Sequence, residues 1–75
     1  MTRDQFVEWA RKQGFRADRH GHLQMDDRGR TYRFKLSRIA ARHEVKSGAG
    51  WVRIRSGYFS KLSLTPDGRI AGMAR

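Results

Sequence analysis

Three groups of residues have types and spacings that chemistry uses, and they support different things. His20-Gly21-His22, with Asp18 before it and Asp26-Asp27 after it, gathers imidazoles and carboxylates as a metal site would. Two histidines flanking a turn glycine also describe an ordinary turn. A catalytic metal further needs a shaped, dry, pre-oriented site, which a chain of 75 residues hardly offers. The expectation is no metal and no cofactor. Ser56 and Ser60 fall in an exposed bend, but neither has a nucleophile-elbow motif or an evident His/Asp pair. His43 alternates with apolar residues and reads as a half-buried sheet histidine rather than a general base. With no catalytic residue in view, the chain reads as non-enzymatic.

The third group is cationic. Residues 31 to 55 alternate apolar and basic side chains. Successive residues of a strand face opposite sides, so Tyr32, Phe34, Leu36, Val45, Val52 and Ile54 are expected on one face, with Arg33, Lys35, Arg42, Lys46, Arg53 and Arg55 on the other. Trp51 is expected on the basic side. In Tyr58-Phe59 the adjacent aromatics cannot both face inward, so one is exposed and offers a protein contact or dimer surface. Cations at strand spacing can neutralise phosphates, and an exposed aromatic can stack on a base. Solvated lysines that protect strands from aggregation give a blander account of the same residues. The charge distribution favours binding: residues 31 to 64 carry eight Lys/Arg against the single acid Glu44.

Composition points the same way. The formal net charge is +10, with a sequence pI of about 11.5, which makes a polyanion the reasonable partner: nucleic acid, or an acidic or RNA-containing protein surface. There is no cysteine, so neither a disulfide framework nor a thiolate metal site is available, and a cytoplasmic setting fits. No apolar run is long enough for a signal peptide or a membrane helix, so no membrane partner is expected. Zinc-finger spacing, basic-zipper heptads and a convincing helix-turn-helix are absent. Tyr32-Arg33-Phe34-Lys35 lacks the glycines of an RNA-recognition motif. Backbone contact with weak sequence selectivity is what remains.

The elements that must position these residues follow from local signals. Thr2 and Gln5 form a capping-box pattern opening a helix at about Arg3, and Phe6, Trp9 and Ala10 make its buried stripe. Gly14 suits the left-handed position beyond its end. Residues 15–18 and 22–25 read as a small hairpin, and Asp26-Asp27-Arg28-Gly29 as the next turn. Ser37 to Lys46 reads either as a strand or as a helix capped by Ser37. The strand is favoured because Ser47-Gly48-Ala49-Gly50 and the β-rich residues after it complete a hairpin, while Ala40-Ala41 argue for the helix. Ser56-Gly57 marks an expected bulge, residues 58 to 64 a resumed strand, Thr65-Pro66-Asp67-Gly68 a turn, and residues 69 to 73 a final edge strand. The expected fold is a single two-layer α+β domain: one N-terminal helix on an antiparallel sheet of about five or six short strands. A homodimer through a strand edge is a further expectation.

Phe6-x-x-Trp9-Ala10, Gly14-Phe15, Asp18-Arg19-x-Gly21-x-Leu23, Tyr32-Arg33-Phe34-Lys35, Arg42-x-Glu44-Val45-Lys46, Trp51, Ser56-Gly57-Tyr58 and Asp67-Gly68 together resemble small accessory proteins encoded by phages and prophages. The resemblance spans the chain and carries over no site residue. It implies a setting in which very small proteins occlude host or defence machinery, anti-CRISPR inhibitors being one class. Many of that class are acidic DNA mimics, a mode that a +10 chain excludes. The leading expectation is thus a module binding nucleic acid through Arg33, Lys35, Arg42, Lys46, Trp51, Arg53 and Arg55. The alternative is an inhibitor that covers an acidic or RNA-containing host complex with the same face or with Tyr58-Phe59.

Overall fold

Thr2 opens the single α-helix as its side chain requires. In the computed structural model, which describes all 75 residues, Gln5 N–H donates to Thr2 Oγ1 (3.1 Å) and Thr2 N–H donates to Gln5 Oε1 (2.8 Å), a complete capping box. Helix α1 (Arg3–Lys12) ends in a Schellman arrangement. Gly14, at φ +109°, donates to Arg11 O, and Phe15 N–H donates to Ala10 O, each at 3.1 Å. That reversal turns Phe15 into the core.

Five antiparallel strands then pair in sequence order: β1 (Arg16–Ala17), β2 (Leu23–Asp27), β3 (Arg30–Leu36), β4 (Ala40–Ser47) and β5 (Gly50–Tyr58). Short turns make this meander the simplest solution. At the β2–β3 turn, Arg28 and Gly29 both take positive φ (53° and 79°), the backbone twist a two-residue hairpin needs. Between β3 and β4, Ser37 does not cap a helix. Its Oγ accepts from Ile39 N–H (3.3 Å) and Ala40 N–H (3.0 Å), and its own N–H donates to Ala40 O (2.9 Å). The capping chemistry of Ser37 is therefore spent on a hairpin turn, and residues 40 to 47 are free to extend.

Beyond Tyr58 the chain departs from the expected strand. Phe59–Lys61 forms a 3₁₀ turn, and β6 (Ser63–Leu64) pairs with β7 (Ile70–Ala71) in a separate two-stranded sheet. Ala74 then exchanges both backbone hydrogen bonds with Ser56 (2.7 and 2.8 Å), covering one step of the outer edge of β5. The C-terminal residues thus build a small second sheet instead of one final edge strand.

Helix α1 packs on one face of the large sheet. The core comprises Phe6, Ala10, Phe15, Leu23, Phe34, Ala41, Phe59, Leu62 and Ile70. Phe6 meets Phe34 edge to face (4.9 Å, 87°), and Phe15 lies 4.6 Å from the same ring. Burying each such side chain contributes roughly 1.5–3 kcal/mol. Trp9 Nε1 donates to Gly68 O (2.8 Å), tying the helix to the β6–β7 turn as well. The helix covers only part of its face. Ten residues of α1 span about 15 Å, whereas the nine residues of β5 span about 30 Å. Val52, expected in the core, is accordingly 53% exposed, and Tyr32 and Val45 are half-buried.

Candidate nucleic-acid interface

Strand register decides which side chains share the face turned away from α1. Phe34 and Ala41 are core residues, so their neighbours Arg33, Lys35 and Arg42 point to the other side. One cross-strand row runs through all five strands: Arg16, Gln24, Arg33, Glu44 and Arg53. The adjacent rows hold Lys46 opposite Trp51 on one side, and Lys35, Arg42 and Ser56 on the other. Most of the expected cationic surface is therefore assembled on one face.

Two of its members differ from expectation. Arg33 Nε lies 2.7 Å from Glu44 Oε1, and its guanidinium sits 4.1 Å above the Trp51 ring centroid. The Arg33 side chain is only 17% exposed, and Glu44, on the face turned away from α1, is 4% exposed. A carboxylate taken from water needs cationic partners, and Arg33, with Arg42 at 3.9 Å, provides them. Arg33 is thus committed to holding Glu44 and Trp51 rather than standing free for a phosphate. Trp51 is half-buried, with one ring face held by Arg33.

Arg55 lies on the opposite face. His43 pairs with Arg55 while Glu44 pairs with Arg53, which leaves Ile54 as the extra residue of a β-bulge. The bulge resets alternation, so Arg53 and Arg55 do not share a face. Arg55 stands beside His43 on the α1 side. The break expected at Ser56-Gly57 falls instead at Ile54, and β5 runs unbroken through the glycine.

His43 stacks on Phe34 (4.7 Å, 27°), and its buried Nδ1 has no hydrogen-bond partner. Desolvation, and secondarily the charge of Arg55, holds its pKa below the usual histidine value. At the β1–β2 turn, Asp18 Oδ1 accepts from the backbone N–H groups of His20 (2.8 Å) and His22 (2.9 Å). Burial alone would raise the Asp18 pKa, but these donors and the Gln24 amide outweigh it and hold the carboxyl below its ordinary value. His22 Nδ1 accepts from Leu36 N–H (3.0 Å), so this histidine pins β2 to β3.

At the far end of the open face, Tyr58 is 54% exposed while Phe59 is buried, which splits the adjacent aromatics as alternation demands. A groove of about 500 Å³ lies there, with Lys35, Arg42, Ser56, Tyr58 and Lys61 on its walls. Sequence reasoning missed Lys61. It assigned residues 58 to 64 to a strand, and only the 3₁₀ turn brings Lys61 to this groove. No helix is long and apolar enough to cross a membrane. Compared with protein-family models, curated proteins and solved structures, the chain finds no match, so the functional reading stands on these residues alone.

Proposed function

We propose that the protein is a non-enzymatic module that binds the backbone of DNA or RNA with the sheet face turned away from α1. The observation that carries this reading is the composition of that face. Lys35, Arg42, Lys46 and Arg53 are exposed on it, whereas Glu44 is buried beneath Arg33, the exposed Asp26 at the β2–β3 end accepts from Thr31, and the Arg16 guanidinium is held by the carbonyls of Arg11 and Phe15. Phosphate contacts release counterions, so four such cations predict a slope of log K against log salt of about −3.6 on duplex and about −2.8 on single strands. A salt titration with generic duplex and single-stranded oligonucleotides tests this, and absence of binding at about 50 mM salt overturns it.

A second reading, a phage-type inhibitor that occludes an acidic or RNA-containing host complex, is favoured by the exposed ring of Tyr58 beside the cations. It predicts a stoichiometric complex that survives nuclease treatment and is lost in Tyr58→Ala. A partner that disappears with nuclease returns the decision to the first reading.

A further inference from the structure

We propose that the groove at the Tyr58 end of the open face is a receptor for the phosphate monoester at the end of a nucleic-acid strand. The proposal rests on the backbone-binding reading and adds which part of the strand is held there. Its volume, about 500 Å³, lies within the range of small-ligand sites.

Charge carries the argument. Lys35 and Arg42 face each other across β3 and β4, and Lys61 enters from the 3₁₀ turn, so three cations line one concavity that no carboxylate lines. Elsewhere on the face, Lys46 stands alone in the row of Trp51, and Arg53, in the row between, reaches only the groove's edge, with its Nη1 3.5 Å from Ser56 Oγ; both are spaced to meet single phosphodiester charges. A phosphodiester brings one charge, whereas a monoester brings about −1.5 to −2 near neutral pH and three acceptor oxygens. Three cationic residues around one concavity match the monoester. Arg42 is available to it, because its contact with Glu44 is long (3.9 Å) and its side chain is 52% exposed.

The surrounding backbone holds the cations in place. The 3₁₀ turn and the C-terminal segment approach β5 through glycine: a Cβ on Gly57 would come within 2.9 Å of Leu62 Cδ2 and 3.3 Å of Gly72 O. That close approach brings Lys61 within reach of the same groove as Arg42. Ser56, in register with Arg42, adds a hydroxyl, and Tyr58 offers a ring on which the terminal base can stack.

The test uses the full chain and one short single-stranded oligonucleotide prepared with a 5′-phosphate, with a 3′-phosphate, or with hydroxyls at both ends, followed by fluorescence anisotropy. The expected result is roughly tenfold tighter binding of one phosphorylated form, the discrimination of one additional charge-assisted hydrogen bond. The preferred form shows which end is read. Arg42→Ala and Lys61→Ala should erase the preference, whereas Lys46→Ala, in the row of Trp51 away from the groove, should weaken all three oligonucleotides equally. The preference should also fade below about pH 6, where the monoester takes up its second proton. Equal affinities, or a preference that survives both Arg42→Ala and Lys61→Ala, overturn end recognition and leave backbone binding standing. If none of the oligonucleotides binds, both readings fall.

Discussion

Arg33 Nε sits 2.7 Å from Glu44 Oε1, and this buried pair lies on the face of the sheet that α1 leaves open. Glu44 therefore restrains a cation that would otherwise be available to phosphate. In Glu44→Gln, Arg33 should be released: affinity for oligonucleotides rises and the salt slope steepens by about one unit. Losing a buried charge-assisted bond should also cost on the order of 1–3 kcal/mol in urea denaturation. Glu8→Gln is the control, because Glu8 is 71% exposed on α1 and its loss changes the net charge equally without freeing Arg33. If the two variants bind alike, Arg33 is not what Glu44 restrains.

The bulge at Ile54 separates two arginines that simple alternation would pair. Arg53→Ala should lower the magnitude of the duplex salt slope by about 0.9, the share of one phosphate contact. Arg55→Ala should leave the slope unchanged and act on the other face. Removing the positive charge beside His43 should raise the His43 pKa toward 6.5, which an NMR titration of the imidazole reads directly. A loss of affinity in Arg55→Ala as large as in Arg53→Ala would contradict the register.

Local signals made much of this fold legible: the Thr2 and Gln5 box, Gly14, and the alternation of residues 31 to 36 each determine their structure through neighbours in the chain. The strand at residues 40 to 47 was legible for a less direct reason. Ser37 has turn and cap chemistry at once, and the hairpin that follows decides which is used. What could not be read depends on cross-strand geometry. Nothing in Arg53-Ile54-Arg55 announces an unpaired residue, and the commitment of Arg33 to Glu44 is set by register between β3 and β4. Lys61 joins the groove only because Phe59–Lys61 turns instead of extending. The cationic face was thus visible as a pattern, while the division between restrained and free cations was not.

The short reach of α1 sets where the sheet can tolerate change. Phe34 contacts Phe6, Phe15 and His43 at the centre of the core, whereas Val52, on the same face, is 53% exposed. Phe34→Ala should cost about 3–5 kcal/mol. A domain of this size has a total stability of roughly 4–11 kcal/mol, so much of the chain's margin would be lost. Val52→Ala should stay within about 0.5 kcal/mol. Thermal melts followed by circular dichroism compare the two, and similar losses would mean that the core extends to the β4–β5 tip.

His43 gives the fold a pH dependence whose sign follows from its surroundings. Desolvation first, and Arg55 second, lower its pKa in the folded chain from the ordinary 6.5, so the unfolded chain takes up the proton first as pH falls. Stability should hold above about pH 7, decline as pH drops through 6.5 toward the folded pKa, and level off below it. The steepest slope for one proton is about 1.4 kcal/mol per pH unit. Asp18 and Asp67 have carboxyl pKa values held below their ordinary 3.8, so their contribution is lost only as pH falls below that value. His43→Leu should flatten the decline below pH 6.5 while His20 and His22 remain. Urea unfolding at a series of pH values checks this, and an unchanged decline in the variant would show that His43 is not its source.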